Sequence, residues 1–430
     1  MAKSKSVLVK WASQLKDAFR YRSDNSLDGR SFTFGSRMRI MYVSFNVLGA
    51  QLHANYRIGQ LEALAERGHD VTWVAARTPE FSASPSELRL LTLLLRKRLP
   101  VVSLLYFQVF SIWCLVRNLR SWDVVILDPL SVPALSPILI IRRLASHFPR
   151  LFLRVTSNPV ETRGHVRALL SCFIETLSIK LSARFFDGIF FISPMMARSY
   201  SERFDFSRSK TSVWPSSVDM TAFDQPSAAR VTCLRKELGL SRRLGVLYHG
   251  SLGGSRGILQ MTEAFRILSR QSIKATLVIL GDGVAREEVS KYVKANGLEQ
   301  VIRLRGPVAF SEVPDYIAAC DVGILALPDL PIWWFQCPLK VIECLAMNKP
   351  VIVSDIPANR WIVGKSPVGL YLEGTSPQHI ANGVRRFLKT RNNLNPRLGQ
   401  QIAARFSIEK VAEMVEHEML SKITDVMNAQ

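Results

Sequence analysis

Acidic side chains are in short supply: 35 Asp and Glu stand against 56 Lys and Arg, which leaves a net charge of +21 over 430 residues. Such a surface attracts polyanions, whether nucleic acid, anionic lipid headgroups or phosphorylated small molecules, and charge alone does not choose among them. Low-complexity tracts and repeats of solenoid period are missing, which excludes a disordered, fibrous or repeat protein. The six cysteines, Cys114, Cys172, Cys233, Cys320, Cys337 and Cys344, show no C-x-x-C spacing and no pairing with histidines. Reduced thiols in a cytosolic compartment are therefore expected. No G-x-G-x-x-G follows the first strand of either half, which disfavours a nicotinamide enzyme. A stacking-aromatic array and a helix-turn-helix pattern are also missing, and the basic residues are dispersed, so nucleic acid is not the expected partner.

The first residues, "MAKSKSVLVKWASQLKDAFRYRSD", lack the uninterrupted apolar core and cleavage site of a secretory signal. Instead Leu8, Trp11, Leu15 and Phe19 recur at helical spacing among lysines and arginines, the composition of a helix lying in a membrane interface. Residues 1–39 carry nine Lys or Arg and three Asp, a net of +6. One uncharged run, residues 99–116, contains 18 residues and just reaches spanning length. Pro100, Ser103, Gln108 and Ser111 interrupt it, so a buried or membrane-apposed helix is expected there.

What is present in quantity is alternation of strand and helix. "MRIMYVSFN", "VTWVAAR", "DVVILD", "RLFLRVTS" and "DGIFFIS" read as apolar strands separated by amphipathic helices, and a second series starts at "LGVLYHG" and runs through "ATLVILG", "VIRLRG" and "DVGILAL". The pattern predicts an α/β protein with two Rossmann-like doubly wound domains facing across a cleft. The expected division is an extension over 1–37, one domain over 38–225, a second over 226–405, and a helix over 406–430 packing back on the first domain. Between the two series "VWPSSVDMTAFDQPSAARV" reads as a linker.

In such sheets ligands bind beyond the carboxyl ends of strands. After "VLYHG" comes "SLGGSRG", whose glycines let backbone N–H groups approach an anion and whose Arg256 can fork onto a phosphate. Gly250, Ser251 and Gly254 belong to this turn, and Gly281 opens a second glycine turn, "GDG". In "PLKVIECLAMNKPVIVSD" Pro338 suits a first helical turn, Leu339 and Lys340 follow it, and Glu343 falls on the same face as Lys340. A carboxylate set among Ile342, Leu345 and Ala346 needs donors, which sugar hydroxyls could supply.

The blocks "YHGSLGGSRGI", "LVILGDG", "IRLRGPVAFSEVPDYIAACDVGILALP" and "PLKVIECLAMNKPVIVSD", in this order, resemble the donor domain of glycosyltransferase family 4, with the GT-B fold. The first half fits that family more loosely. The resemblance implies transfer of a sugar from a nucleotide-diphosphate sugar with retention of anomeric configuration. It implies no metal or other cofactor, and the chain contains no D-x-D motif. It gives Arg256 the neutralisation of the diphosphate, with Ser251 in place of a second basic residue and Lys340 supplying that charge by position. Glu343 matches the second glutamate of a Glu-x7-Glu motif, a clamp for the donor ribose, while Phe335 stands where the first would be. Arg305 and Gly306 are implied to border the nucleobase through backbone. Asp128, after "DVVIL", takes the place of a family histidine; a carboxylate there can accept a sugar hydroxyl or help the acceptor lose its proton. Gly49 and His53, beyond the first strand, are the acceptor-side candidates. Together these imply a cytoplasmic enzyme peripheral to the inner or plasma membrane, acting on a lipid-linked or envelope-polysaccharide acceptor and held to the anionic surface by its basic first helix. The alternative is a non-catalytic nucleotide-sugar-binding scaffold or sensor.

Overall fold

The computed structural model describes residues 36–48, 53–78, 88–94, 100–117, 119–133, 135, 148–156, 165–224 and 226–428. The expected basic helix of the first 35 residues, Gly49 and the side chain of His53 lie outside what is described.

Two separate parallel sheets form. The first contains β1 (Arg39–Leu48), β2 (Asp70–Arg77), β3 (Arg89–Leu94), β4 (Val124–Leu127), β5 (Arg150–Val155), β6 (Gly188–Phe191) and β7 (Thr211–Val213), in the spatial order β3-β2-β1-β4-β5-β6-β7. The second contains β8 (Leu244–His249), β9 (Ala275–Leu280), β10 (Ile302–Arg305), β11 (Val322–Leu325), β12 (Val351–Ser354) and β13 (Gly369–Leu372), in the order β10-β9-β8-β11-β12-β13. In both, the chain winds outward from a central strand, returns, and winds the other way. The order reverses between β1 and β4 and between β8 and β11, the places where a crevice opens at the carboxyl edge of a doubly wound sheet.

Strand composition explains the layering. Met41 and Val43 of β1 and Val125 and Leu127 of β4 pack on one face, while Ile40, Tyr42, Val124 and Ile126 enter the core on the other. Both faces are covered, so the strands are apolar throughout rather than alternating. The long helix Ile408–Asn428 returns to the first sheet: Val411, Val415, Met419 and Ile423 join the core that holds Ile40, Tyr42 and Trp73. Each such fully buried side chain contributes about 1.5–3 kcal/mol.

The segment read as a linker is packed rather than loose. Trp214, Val218 and Phe223 are buried, and Val218 forms a parallel bridge to Ser407, with Val218 N donating to Phe406 O at 2.8 Å and Ile408 N to Val218 O at 3.1 Å. The two stretches that cross between the sheets are thus hydrogen-bonded to one another. Proline and serine marked an irregular backbone there; burial of Trp214 and Phe223 keeps it ordered.

The uncharged run forms the helix Pro100–Arg117, and no helix among the described residues is long and apolar enough to cross a membrane. Its Phe107, Phe110 and Cys114 are buried under the first sheet, while Leu105, Tyr106, Val109 and Val116 are each more than half exposed. The helix His165–Phe185 stands nearby and exposes Phe173. Both helices are tied to the turn after β4, by Gln108 Nε2 donating to Leu130 O and Ser178 Oγ to Pro129 O. All six cysteines are free, with Cys172 and Cys233 exposed.

Candidate active site

At the carboxyl edge of the second sheet the glycine turns interlock. Gly250 N donates to Leu280 O at 2.8 Å and Gly281 N to Gly306 O at 3.2 Å, so the ends of β8, β9 and β10 are laced in register. Gly281 has φ +132°, and a β-carbon there would lie 2.1 Å from Gly250 O, so no larger residue fits. Gly250, at φ +104°, is crossed by the Lys340 side chain: a β-carbon on it would sit 2.6 Å from Lys340 Cε and 2.9 Å from Nζ. Gly254 is exposed and under no such constraint. Ser251 contributes its carbonyl, which accepts from Tyr248 Oη at 2.7 Å.

Arg256 precedes the helix Ile258–Arg270, and its guanidinium lies 4.8 Å from the centroid of the Trp333 ring. A cation–π contact at this distance restrains the guanidinium. The ammonium of Lys340 sits over the Tyr248 ring at 5.6 Å. Lys340 thus lies on the glycine-lined edge, and Arg256 belongs to the turn that begins at Gly250, a combination that suits an anion. An open depression lined by Asp282, Gly283, Val284 and Arg286 continues along it.

Pro338 is the N-cap of the helix Leu339–Ala346 rather than a residue of its first turn; its ψ of 93° is extended, and Leu339 begins the helix. The Pro338 and Leu339 backbone thereby brings Lys340 to Gly250 and turns Glu343 inward. Glu343 is 2% exposed, more deeply buried than its sequence neighbours suggested. Its Oε1 accepts from Tyr56 Oη at 2.6 Å, and its Oε2 accepts from His249 Nε2–H at 2.6 Å. Burial pushes this carboxyl up, but the His249 bond and charge, then Tyr56 and Lys340, outweigh it, and the net direction is down. Burial and the adjoining carboxylate push the Tyr56 phenol far up. Phe335 is half-buried against the core of the first domain, and its carbonyl accepts from Ser193 Oγ at 2.6 Å.

Arg305 turns its guanidinium away, to Glu237 at 2.6 Å. Its carbonyl and that of Gly281 both accept from Arg286 Nη1 at 2.9 Å, and Gly306 lies beside the same guanidinium. The backbone expected to border a base is thus organised by Arg286.

Across the cleft, Asp128 sits at the switch point of the first sheet. It accepts from Tyr42 Oη at 2.7 Å and Arg57 Nη1 at 2.8 Å. Both bonds fix the carboxylate in place at the carboxyl end of β4. Behind it Arg154 is buried, stacked 3.8 Å from the Trp214 ring and bonded to Gln60 Oε1 at 2.6 Å, with Nε and Nη1 lacking partners among the described residues. Burial pushes this guanidinium down to about 10. Among the described residues no group of three or more His, Cys, Asp or Glu side chains could hold a metal ion.

A family model described as glycosyl transferases group 1 matches residues 243–390, and one described as glycosyltransferase family 4 matches 58–222. The two matches fall on the two sheets. The chain belongs to the family 4 glycosyltransferases.

Among relatives, the chain is 24% identical over 195 residues to alpha-D-kanosaminyltransferase of Streptomyces kanamyceticus, covering 45% of this chain and 49% of that one. It is 28% identical over 213 residues to TuaC of Bacillus subtilis, a glycosyltransferase named for teichuronic acid biosynthesis, covering 48% and 50%. The chain spans about half the length of these curated relatives. Solved structures share the GT-B fold over nearly the whole length. Anabaena HepE, determined with UDP and glucose, aligns at TM-score 0.68 and 16% identity, over 90% of this chain and all of that one. The catalytic domain of Arabidopsis thaliana starch synthase IV, bound to ADP and acarbose, aligns at 0.70 and 13%, over 90% and 100%.

Sequence reasoning missed Tyr56, Arg57, His249, Arg286 and Trp333. His249 had a visible signal, being the last residue of an apolar strand directly before the glycine turn. Tyr56 had none, since its partner lies 287 residues away.

Proposed function

We propose that this protein transfers a sugar, with retention of configuration and without a metal ion, from a nucleotide-diphosphate sugar to a lipid-linked or envelope-polysaccharide acceptor at the cytoplasmic face of a membrane. The observation that carries the reading is Lys340 lying across Gly250, whose turn interlocks with that of Gly281 and also bears Arg256, with Glu343 one helical turn beyond Lys340. A departing diphosphate gains negative charge, and two fixed cations beside backbone N–H groups stabilise it most where water is excluded. Glu343 is the hydroxyl-binding carboxylate of the same edge. HepE with UDP and glucose and starch synthase IV with ADP and acarbose share the fold and support a sugar-nucleotide donor by analogy.

The acceptor side rests on the exposed apolar residues of the helices Pro100–Arg117 and His165–Phe185, which stand beside Asp128 on a strongly basic chain. TuaC, named for a polysaccharide pathway, agrees with an envelope acceptor.

Incubating the purified protein with uridine, guanosine and adenosine diphosphate sugars and a membrane-lipid extract tests this. Release of nucleoside diphosphate with a product of the donor's anomeric configuration is expected. Binding of donor without turnover would instead favour the scaffold reading, for which Phe335 and the internally satisfied Glu343 speak.

A further inference from the structure

Glu343 has two partners of different kinds. His249 belongs to the same sheet as the glycine turns and is buried with the carboxylate. Tyr56 comes from the first domain, on the helix His53–Glu66, and reaches across the cleft. One oxygen is therefore held from within the donor domain, and the other by a group that domain motion can withdraw.

The Tyr56 hydroxyl is a neutral O–H donating to Oε1 at 2.6 Å, the same bond that a sugar hydroxyl would make. Its ring stands edge-on to Phe310, centroids 5.2 Å apart, so the side chain enters between the domains rather than lying on the surface. A carboxylate buried this deeply is costly to leave without a donor. A ligand that arrives with its own hydroxyl can exchange with Tyr56 and keep Glu343 satisfied throughout.

We propose that Tyr56 is a displaceable stand-in for a ribose hydroxyl of the donor. Uptake of the nucleotide swaps one O–H···O bond for another at Oε1, while His249 keeps Oε2. Resting on the donor assignment made above, this adds a specificity consequence: a ligand that reaches the edge but lacks the hydroxyl displaces Tyr56 at a loss. No covalent step is involved, and Glu343 stays ionised.

Calorimetric titration of uridine, guanosine and adenosine diphosphates into the full chain and its Tyr56→Phe variant tests the exchange. Phenylalanine keeps the ring against Phe310 and removes only the competing hydroxyl. The variant is expected to bind whichever diphosphate the wild type takes up about tenfold more tightly. The gain is expected to vanish with the 2′,3′-dideoxy form of that diphosphate, and also in a Glu343→Gln background. Unchanged or weaker binding by Tyr56→Phe would overturn the stand-in role while leaving the donor site intact. If neither protein binds any of the three, the donor assignment itself falls and the inference with it. Matching thermal transitions of wild type and variant establish that both are folded.

Discussion

The Lys340 side chain lies across the α-carbon of Gly250, two residues 90 positions apart that meet at the edge of the second sheet. The lysine limits what can stand at position 250, while the glycine sets no such limit on position 340. Gly250→Ala meets both a positive φ and the lysine methylenes, and is expected to destabilise the fold by about 1–3 kcal/mol. Lys340→Ala, which only opens space, is expected to keep the fold and weaken diphosphate binding roughly tenfold. Denaturant titration and calorimetry on the pair separate the two effects.

Arg256→Met is expected to lower diphosphate affinity by a similar factor and to reduce its salt dependence, since a guanidinium near the surface acts partly through screened charge. Binding measured at low and at high salt checks this. Equal salt slopes in wild type and variant would place Arg256 outside the anion's reach.

The Glu343 carboxyl titrates below its ordinary range, so it binds fewer protons in the folded than in the unfolded chain. Its contribution to stability is full above the unfolded value of about 4.3 and is lost as pH falls through the folded one. The stability gap between wild type and Glu343→Gln is therefore expected to shrink on acidification below about pH 4–5. Thermal unfolding from pH 3 to pH 7 reads it.

Asp128 pairs with the half-buried Arg57 at 2.8 Å, and its charge also reaches the buried Arg154. Asp128→Asn leaves them without a counter-charge, and a loss of about 3 kcal/mol in stability is expected. If activity falls while stability is unchanged, the carboxylate acts in chemistry rather than as an anchor.

The exposed side chains Leu105, Tyr106 and Val109 are candidates for contact with lipid. Replacing all three by serine is expected to leave thermal stability close to wild type and to lower co-sedimentation with phosphatidylglycerol vesicles several-fold. Undiminished sedimentation would remove this helix from the membrane surface.

The sheets were legible because apolar strands and amphipathic helices alternate from Met38 onward, and because a glycine turn follows both β8 and β9. Strands β3, β7 and β13 were not: β3 is a leucine run that periodicity cannot tell from a buried helix, β7 has only three residues, and β13 opens on a glycine. In the site, Arg256, Lys340 and Glu343 could be picked out by their positions at helix starts. Their surroundings could not. His249 is 94 residues from Glu343 and Arg57 is 71 from Asp128, and winding order alone decides that these pairs meet. The segment 213–231 does run between the two sheets, but its packing was not legible, because proline and serine signal irregular backbone, and irregular backbone can still be packed.

The bridge between Val218 and Ser407 also constrains how the halves can move. A single connecting strand would act as a swivel, letting one lobe spin freely against the other. Two strands fastened side by side act as the leaf of a door hinge, which bends about one line and resists torsion. Each opening should therefore return Tyr56 to the same place opposite Glu343.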